Sequence, residues 1–525
     1  MGVRLRLRMA LGVAIVGLML VALAPPGVSA GQPQASLTIS PGVYVGGQRL
    51  TFEGNIGERG IQPIRMQILS GRPGDGWTPP DAGFRTWTKS DGSFRFHYSA
   101  PSMRGMRVRM VSARAVTPAQ PLHARSQDLV LRAVSGTPGL NPGQVLAGEP
   151  FVIKVDTTPT LARRHDLPGP AFEGRTLTLQ QRIGDGHWDS LARTTADIDG
   201  QGSFDVTVDQ SGQIVYRVRE EDWMADGNEI GWFPSFPAYV DVLPAVPTTA
   251  TSTAQQPRIQ TASGGATKES VPARPIGRRG TASKRHHWGP SVWDFAWPYG
   301  ESLTSRPYRG SDRHGKWLDS SDGSGRAVPH NGALLLDSQR QVGGPGDHGT
   351  TMLTLRGNAR RHGRWETGIR LKSPENDVQD YRVKVELVPD RPGAYHCGAQ
   401  NITIADVAAH DSTVTVGAKA LRGAREWTRR KRIGSLMGPS VNFAVEVTKS
   451  HISWFVNGRV IATLRSAAAV SDVPMTLRLS MVGDGQNEMN RTQAIFDWQR
   501  GFSLERGRPV VSGHALRSGN HDGGC

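Results

Sequence analysis

Short apolar runs recur along the second half of the chain, among them Met352–Leu355, Val383–Leu387, Phe443–Val447, Ile452–Val456 and Met475–Leu479. They are rich in β-branched and aromatic residues, and Gly, Asn, Asp and Pro separate them. That pattern predicts many short antiparallel strands joined by turns. The clearest hairpin is Val456-Asn457-Gly458-Arg459-Val460, because Asn-Gly accepts the positive φ values of a tight, strand-compatible turn. No long stretch shows helical periodicity, so the expected class is all-β, a sandwich or jelly roll.

The first half repeats itself. Ile39 to Phe52 is echoed by Leu140 to Ile153, Gly74-Asp75-Gly76-Trp77 by Gly184-Asp185-Gly186-His187-Trp188, and Asp91 to Phe96 by Gly200 to Val206. Each copy closes on an alternating strand, Met106–Ala113 and Gln213–Arg219, and the repeat length with frequent Gly/Pro turns fits two Ig-like sandwiches. Asp75 and Asp185 sit in Gly-rich loops that turn chemistry explains. Residues 246–287 are rich in Pro, Thr, Ser and Arg and read as a disordered tether, with the two repeats as spacers. Residues 1–30 carry Arg4, Arg6 and Arg8, an apolar run and a Val28-Ser29-Ala30 cleavage site, the layout of a secretory signal peptide. No later run reaches membrane length. The expected plan is signal 1–30, Ig-like sandwiches 31–134 and 135–245, linker 246–287, jelly roll 288–506, and a loose Gly-rich tail 507–525.

Several segments of the second half resemble the family 16 glycoside hydrolases, secreted sugar-cleaving enzymes with a concanavalin A-like jelly-roll fold. Gly363-Arg364-Trp365-Glu366 resembles that family's G-R-[FW]-E strand, and Tyr381 to Asp390 the strand before the catalytic one. Val441–Thr448 with His451–Gly458, and Ala494–Trp498, match later strands in the right order. Where the family carries Glu-x-Asp-x-x-Glu, this chain has Asn401-Ile402-Thr403-Ile404-Ala405-Asp406. The resemblance implies that Asn401, Thr403 and Asp406 project together into a sugar cleft, with one bulge residue shifting the alternation.

The chemistry at those positions is degraded. A retaining glycosidase needs an ionised carboxylate nucleophile and a protonated carboxyl roughly 5 to 5.5 Å apart. Asn401 is a neutral amide, Thr403 carries no charge, and only Asp406 keeps a carboxyl, at the acid/base position. Three readings follow: a structural descendant, a sugar-binding cleft without hydrolysis, or relocated catalysis pairing Asp406 with Glu386 or Asp411. Tyr381, Tyr395, Trp427 and Trp454 are the candidate sugar-stacking aromatics, while Trp365 and Trp498 read as core. Asp497 falls where the family has an aspartate of a structural calcium site; one carboxylate is not a hard-cation site, and no cofactor is required. His396, His410 and His451 lack metal-ligand spacing.

Charge and cysteines adjust this picture. The formal charge is +16, and +13 without the three signal arginines, which favours anionic partners. No nucleic-acid module motif is present, which argues against that partner. The two cysteines, Cys397 and Cys525, are the natural pair for a disulfide in an exported chain. The leading expectation is a secreted or cell-wall-associated pseudoenzyme that binds polysaccharide or an anionic cell-envelope polymer. A hydrolase with an atypical site is the alternative, and a structural surface scaffold the third.

Overall fold

The computed structural model describes residues 33–69, 76–80, 84–102, 105–159, 169–183, 187–245, 280–297, 303, 316–330, 332–338, 349–390, 401–419, 426–470 and 473–518. Residues 1–30 with the expected cleavage site, Tyr395, His396, Cys397 and Cys525 lie outside the described residues, and so does the expected disulfide.

The first sandwich comprises β1 (Ser36–Ser40), β2 (Val43–Val45), β3 (Arg49–Asn55), β4 (Pro63–Leu69), β5 (Arg85–Trp87), β6 (Ser93–Ser99), β7 (Arg107–Val111), β8 (Gln120–Pro121) and β9 (His123–Arg125). Its sheets run β1-β3-β6 and β5-β4-β7-β8, with β2 parallel to β9. Alternation drives the packing: Ile64, Met66 and Ile68 of β4 point inward and are buried, while Pro63 and Arg65 are exposed.

The second sandwich comprises β10 (Val130–Ser135), β11 (Gln144–Leu146), β12 (Pro150–Asp156), β13 (Thr176–Ile183), β14 (His187–Thr195), β15 (Gln201–Thr207), β16 (Gly212–Glu220), β17 (Phe233–Pro234) and β18 (Ala238–Leu243). It has the same plan, with β10-β12-β15 facing β11-β18-β16-β13-β14 and β11 parallel to β18. The sequence repeat is thus a repeat of topology. Because β10 pairs with β12 along its whole length, the division falls before Val130 rather than at 134/135.

The chain is next described at Gly280, and here the expected tether ends early. Residues 280–287 belong to the following domain. Helix α1 (Ala282–Arg285) is capped by Thr281, and its first amides donate to the Glu366 carboxylate, which also accepts from the Ser283 hydroxyl at 2.6 Å. Helix N-termini leave such N–H groups without partners, and a carboxylate there also meets the favourable end of the helix dipole.

The jelly roll follows with β19 (Trp293–Phe295), β20 (Lys316–Asp319), β21 (Arg326–His330), β22 (Ala333–Asp337), β23 (Thr350–Arg356), β24 (Gly363–Lys372), β25 (Arg382–Pro389), β26 (Asn401–Val407), β27 (Thr413–Lys419) and β28 (Glu426–Arg432). It closes with β29 (Val441–Val447), β30 (Ile452–Val456), β31 (Arg459–Leu464), β32 (Met475–Val482), β33 (Gln493–Phe502) and β34 (Arg517–Ser518). One sheet runs β21-β22-β33-β24-β29-β30-β31 with β19 on β33; the other runs β20-β23-β32-β25-β26-β27-β28-β34. Trp365, Trp454, Phe443 and Leu479 are among the side chains that fill the space between them. The predicted Asn457-Gly458 hairpin joins β30 to β31 with φ values of 48° and 74°. A side chain on Gly458 would meet the Thr281 carbonyl at 2.9 Å, so this glycine serves both the turn and the docking of α1.

The C-terminal segment is not loose through Ser518. Ser453 donates to the Val510 carbonyl at 2.6 Å, the Val510 amide donates to Glu446 at 2.9 Å, and β34 adds to the edge strand β28. It therefore straps one sheet to the other.

The two sandwiches are packed against the jelly roll and do not act as detached spacers. Arg217 Nη1 lies 2.5 Å from Asp319 Oδ2 with both side chains under a tenth exposed. Arg182 donates to the Asp322 carbonyl at 2.6 Å, and Arg326 pairs with Asp128 at 3.4 Å. Trp232 of the second sandwich packs within the jelly-roll core, while Val328, Leu335 and Ile495 pack into the core of the second sandwich. The first sandwich joins through Ser126 and His330, 3.2 Å apart.

Cutting the buried Arg217–Asp319 pair leaves a desolvated guanidinium without its counter-charge. Asp319→Ala should cost about 3 to 5 kcal/mol of unfolding free energy, read as a lower denaturant midpoint in the full chain. An unchanged midpoint would show that the sandwiches are tethered rather than docked.

Candidate functional site

Strand β26 lies inside its sheet between β25 and β27. Its register against β25 pairs Asp406 with Lys384, then Thr403 with Glu386, leaving Ile404 as the extra residue of a bulge. Ile402, Ala405 and Val407 enter the core. Asn401, Thr403 and Asp406 therefore share the opposite, polar face, as the motif position predicts. The bulge has a partner in the core: the Trp454 indole N–H donates to the Thr403 carbonyl at 2.9 Å from the facing sheet.

Each carboxylate on this face meets a cation. Glu386, directly across from Thr403, accepts from Arg478 Nη2 at 2.8 Å and Nε at 3.1 Å, a two-point grip. Its other oxygen accepts from Asn401 Nδ2 at 2.8 Å. Asp406 is bound by Arg382, with Nη2 at 2.7 Å and Nε at 2.8 Å from one oxygen. Farther along, Glu426 lies 3.4 Å from Lys419, and Asp411 accepts from Arg430 at 2.8 Å. Asn401, Thr403 and Glu386 are buried, whereas Asp406, Arg382, Lys384 and Arg478 reach partly into solvent. The accessible part of the face is thus its Asp406 end.

Burial pushes the Asp406 carboxyl above the usual aspartate range, with Arg382 and Lys384 pulling it back and Glu386 pushing it further up. For Asp411 burial acts upward too, but hydrogen bonds from Thr413 and Arg430 outweigh it and hold the group low. Asp406 is the one carboxyl of this motif whose surroundings favour a proton, and the two arginine-bound oxygens of Glu386 and Asp406 are aimed at guanidinium, not at open space.

The aromatic expectations need correction. Tyr381 and Trp454 are core residues, 2% and 0% exposed. Trp454 alternates with Ser453 and Phe455, and its side of β30 faces the second sheet. Trp427 pairs with buried Ala418, so it lies on the core side of β28 rather than beside Lys419 and Glu426. Trp365 is core as expected, but Trp498 is half-exposed, with Arg500 over its ring at 4.6 Å. Asp497 lies 3.5 Å from Arg370; among the described residues no group of three or more His, Cys, Asp or Glu could hold a metal. A guanidinium beside the only expected ligand does not fit calcium. His410 is held by Asp380 at 2.9 Å and His451 lies 3.4 Å from Glu446.

Arg382, Lys384 and Arg478 are functional-face residues that the motif does not point to. The first two are legible in the sequence, because they alternate with Val383 and Val385 on the same strand as Glu386. Arg478 is not, since its meeting with Glu386 depends on pairing β32 with β25.

Fold and face together define a two-sheet jelly roll whose polar-face carboxylates are closed by basic side chains. No family model matches the chain, and no curated protein matches it. Among solved structures it is similar to the laminarinase from Rhodothermus marinus, at 18% identity over 41% of this chain and 96% of that one, with a TM-score of 0.33. It is similar also to the catalytic domain of an endo-1,3-β-glucanase (laminarinase) from Thermotoga petrophila, at 15% identity over 41% and 98%, TM-score 0.33. A third is the GlcNAcα1-4Gal-releasing endo-β-galactosidase from Clostridium perfringens, at 13% identity over 45% and 66%, TM-score 0.33. Among the described residues no helix is long and apolar enough to cross a membrane.

Because the folded Asp406 has a raised pKa, its ionisation costs stability in full above the folded value, and that cost fades as pH falls through the folded value and is gone below the unfolded one. Asp406→Asn should therefore unfold at an equal or higher temperature than wild type at pH 7. That advantage should shrink toward pH ~4. An Asp406→Asn variant that melts below wild type at pH 7, with the deficit closing on acidification, would show that Arg382 outweighs burial.

Proposed function

We propose that this chain is an exported, non-catalytic binder of polysaccharide or another anionic cell-envelope polymer, built on a family 16-like jelly roll with two Ig-like modules. One observation carries the reading: the nucleophile position is Asn401, and its amide is spent on Glu386, which Arg478 also grips. A carboxylate bound at both oxygens and buried is a poor nucleophile, and the position that would attack an anomeric carbon is an amide. What remains accessible is Arg382, Lys384 and Arg478 around Asp406. Such a cationic, hydrogen-bonding surface suits a polymer bearing hydroxyls and negative charge.

The hydrolase reading keeps one specific support, the burial-raised carboxyl of Asp406, which is the state a general acid needs. Reducing-end release from β-glucans, galactans and acidic polysaccharides, comparing wild type with Asp406→Ala, separates the two. The binder reading expects no release from any of them. Release that vanishes in Asp406→Ala would make the chain a hydrolase. In parallel, affinity for the polymer that binds best should fall about tenfold in Arg382→Ala, the loss of one charge-assisted contact. It should also saturate at high salt, whereas attraction through net charge alone would vanish there.

A further inference from the structure

The repeat in the first half of the chain places the same three side chains on the outer face of each sandwich. In the second copy Arg217 lies over the Trp188 ring at 4.3 Å, and its Nε donates to Gln180 at 2.9 Å. Its Nη1 then takes the carboxylate of Asp319. In the first copy Arg109 lies over Trp77 at 4.2 Å and donates from Nε to Gln67 at 2.9 Å. Register is also shared, since Gln67 faces Arg109 as Gln180 faces Arg217. Ring and amide hold the guanidinium in one orientation, with its outer nitrogens presented. In the second copy that device receives a carboxylate. In the first copy no described carboxylate reaches it.

The surroundings of Arg109 extend the same chemistry. Arg65 and Arg85 face each other directly across β4 and β5, and Arg107 stands on β7 beside Leu69. None of the outward positions on β4, β5 and β7 is an acid. Like charges directly opposite destabilise a sheet, so this face is costly to the fold in isolation. Trp87, one alternation from Arg85 along β5, is 64% exposed. A flat ring left in water at the Arg65–Arg85 end of this arginine-bearing face is an interaction surface without a partner of its own.

We propose that this face of the first sandwich docks an acidic polysaccharide, with uronate carboxylates on Arg65, Arg85, Arg107 and Arg109 and a sugar ring on Trp87. A strand end of the neighbouring domain supplies one carboxylate, as Asp319 of β20 does for Arg217. Four arginines spread over three strands match charges repeated along a polymer, and the exposed indole suits the apolar face of a sugar. The surface belongs to a different domain from the jelly-roll face and does not depend on its function.

Polygalacturonate is the probe, titrated against the full chain. Arg65→Ala/Arg85→Ala should weaken binding at least tenfold, with a thermal midpoint equal to or above that of wild type because a like-charge pair is gone. Trp87→Ala should weaken it several-fold, and Arg59→Ala/Arg95→Ala, exposed arginines elsewhere on the same sandwich, should leave it unchanged. Arg382→Ala reads the jelly-roll face separately, so loss there with none at Arg65/Arg85 overturns this site alone. Equal losses in the Arg59/Arg95 control would reduce the effect to net charge and overturn it. Tighter binding of an oligonucleotide of equal charge would assign the face to nucleic acid instead. Self-association sensitive to Arg65→Ala/Arg85→Ala, in place of polymer binding, would assign it to a second copy of the chain.

Discussion

A guanidinium brought out of water beside a carboxylate recurs at almost every junction of this molecule. Arg364 and Glu446, both wholly buried at 2.7 Å, lie under the strap that closes the outer face of the first jelly-roll sheet. Arg175 and Glu220 anchor the second sandwich, Arg217 and Asp319 join it to the jelly roll, and Arg478 and Glu386 lock the polar face. Such pairs add little net energy over apolar packing, yet removing one partner strands a buried charge. Their effect is to fix which surfaces meet. A chain with an excess of sixteen positive charges has arginines to spare for this, and carboxylates are the scarce component.

That scarcity links architecture to chemistry. A glycosidase site keeps two carboxyls in different protonation states by giving them different surroundings. Here the positions that would do this are an amide and an arginine-bound aspartate, and the nearest further carboxylate, Glu386, is bound from two sides. In the proposed reading, the pairing that lends the face its order also occupies the carboxylate that could attack. Burial raises Asp406 while Arg382 and Lys384 pull it back.

The sequence carried the strands, the hairpin, the bulged motif and the repeat because each rests on local alternation or on residues a few positions apart. Met352–Leu355 and Ile452–Val456 became strands for that reason, and Asn401, Thr403 and Asp406 share a face. Orientation beyond the strand was less legible. Trp454 reads as a cleft residue although Ser453 beside it marks the outward side, and the side that Trp427 takes depends on the register of β28 against β27. The composition places Thr281 and Ser283 in the expected linker, and they look like linker residues until Glu366, far along the chain, is brought to them. Docking of the sandwiches was invisible for the same reason, since Arg217 and Asp319 are ordinary charges until the fold makes them neighbours.

The repeat gives the same side chains two different fates, and this separates what the fold requires from what it offers. Trp188, Gln180 and Arg217 are covered by the jelly roll, so their chemistry is used up in assembly. Trp77, Gln67 and Arg109 keep the same mutual geometry with no described carboxylate on the guanidinium. Packing against a neighbour therefore is not what creates the triplet; it forms within one sandwich by strand register and stacking alone. A surface that assembles itself and is satisfied by a carboxylate in one copy retains that preference in the other. The free copy then differs from its twin in its occupant, not in its chemistry.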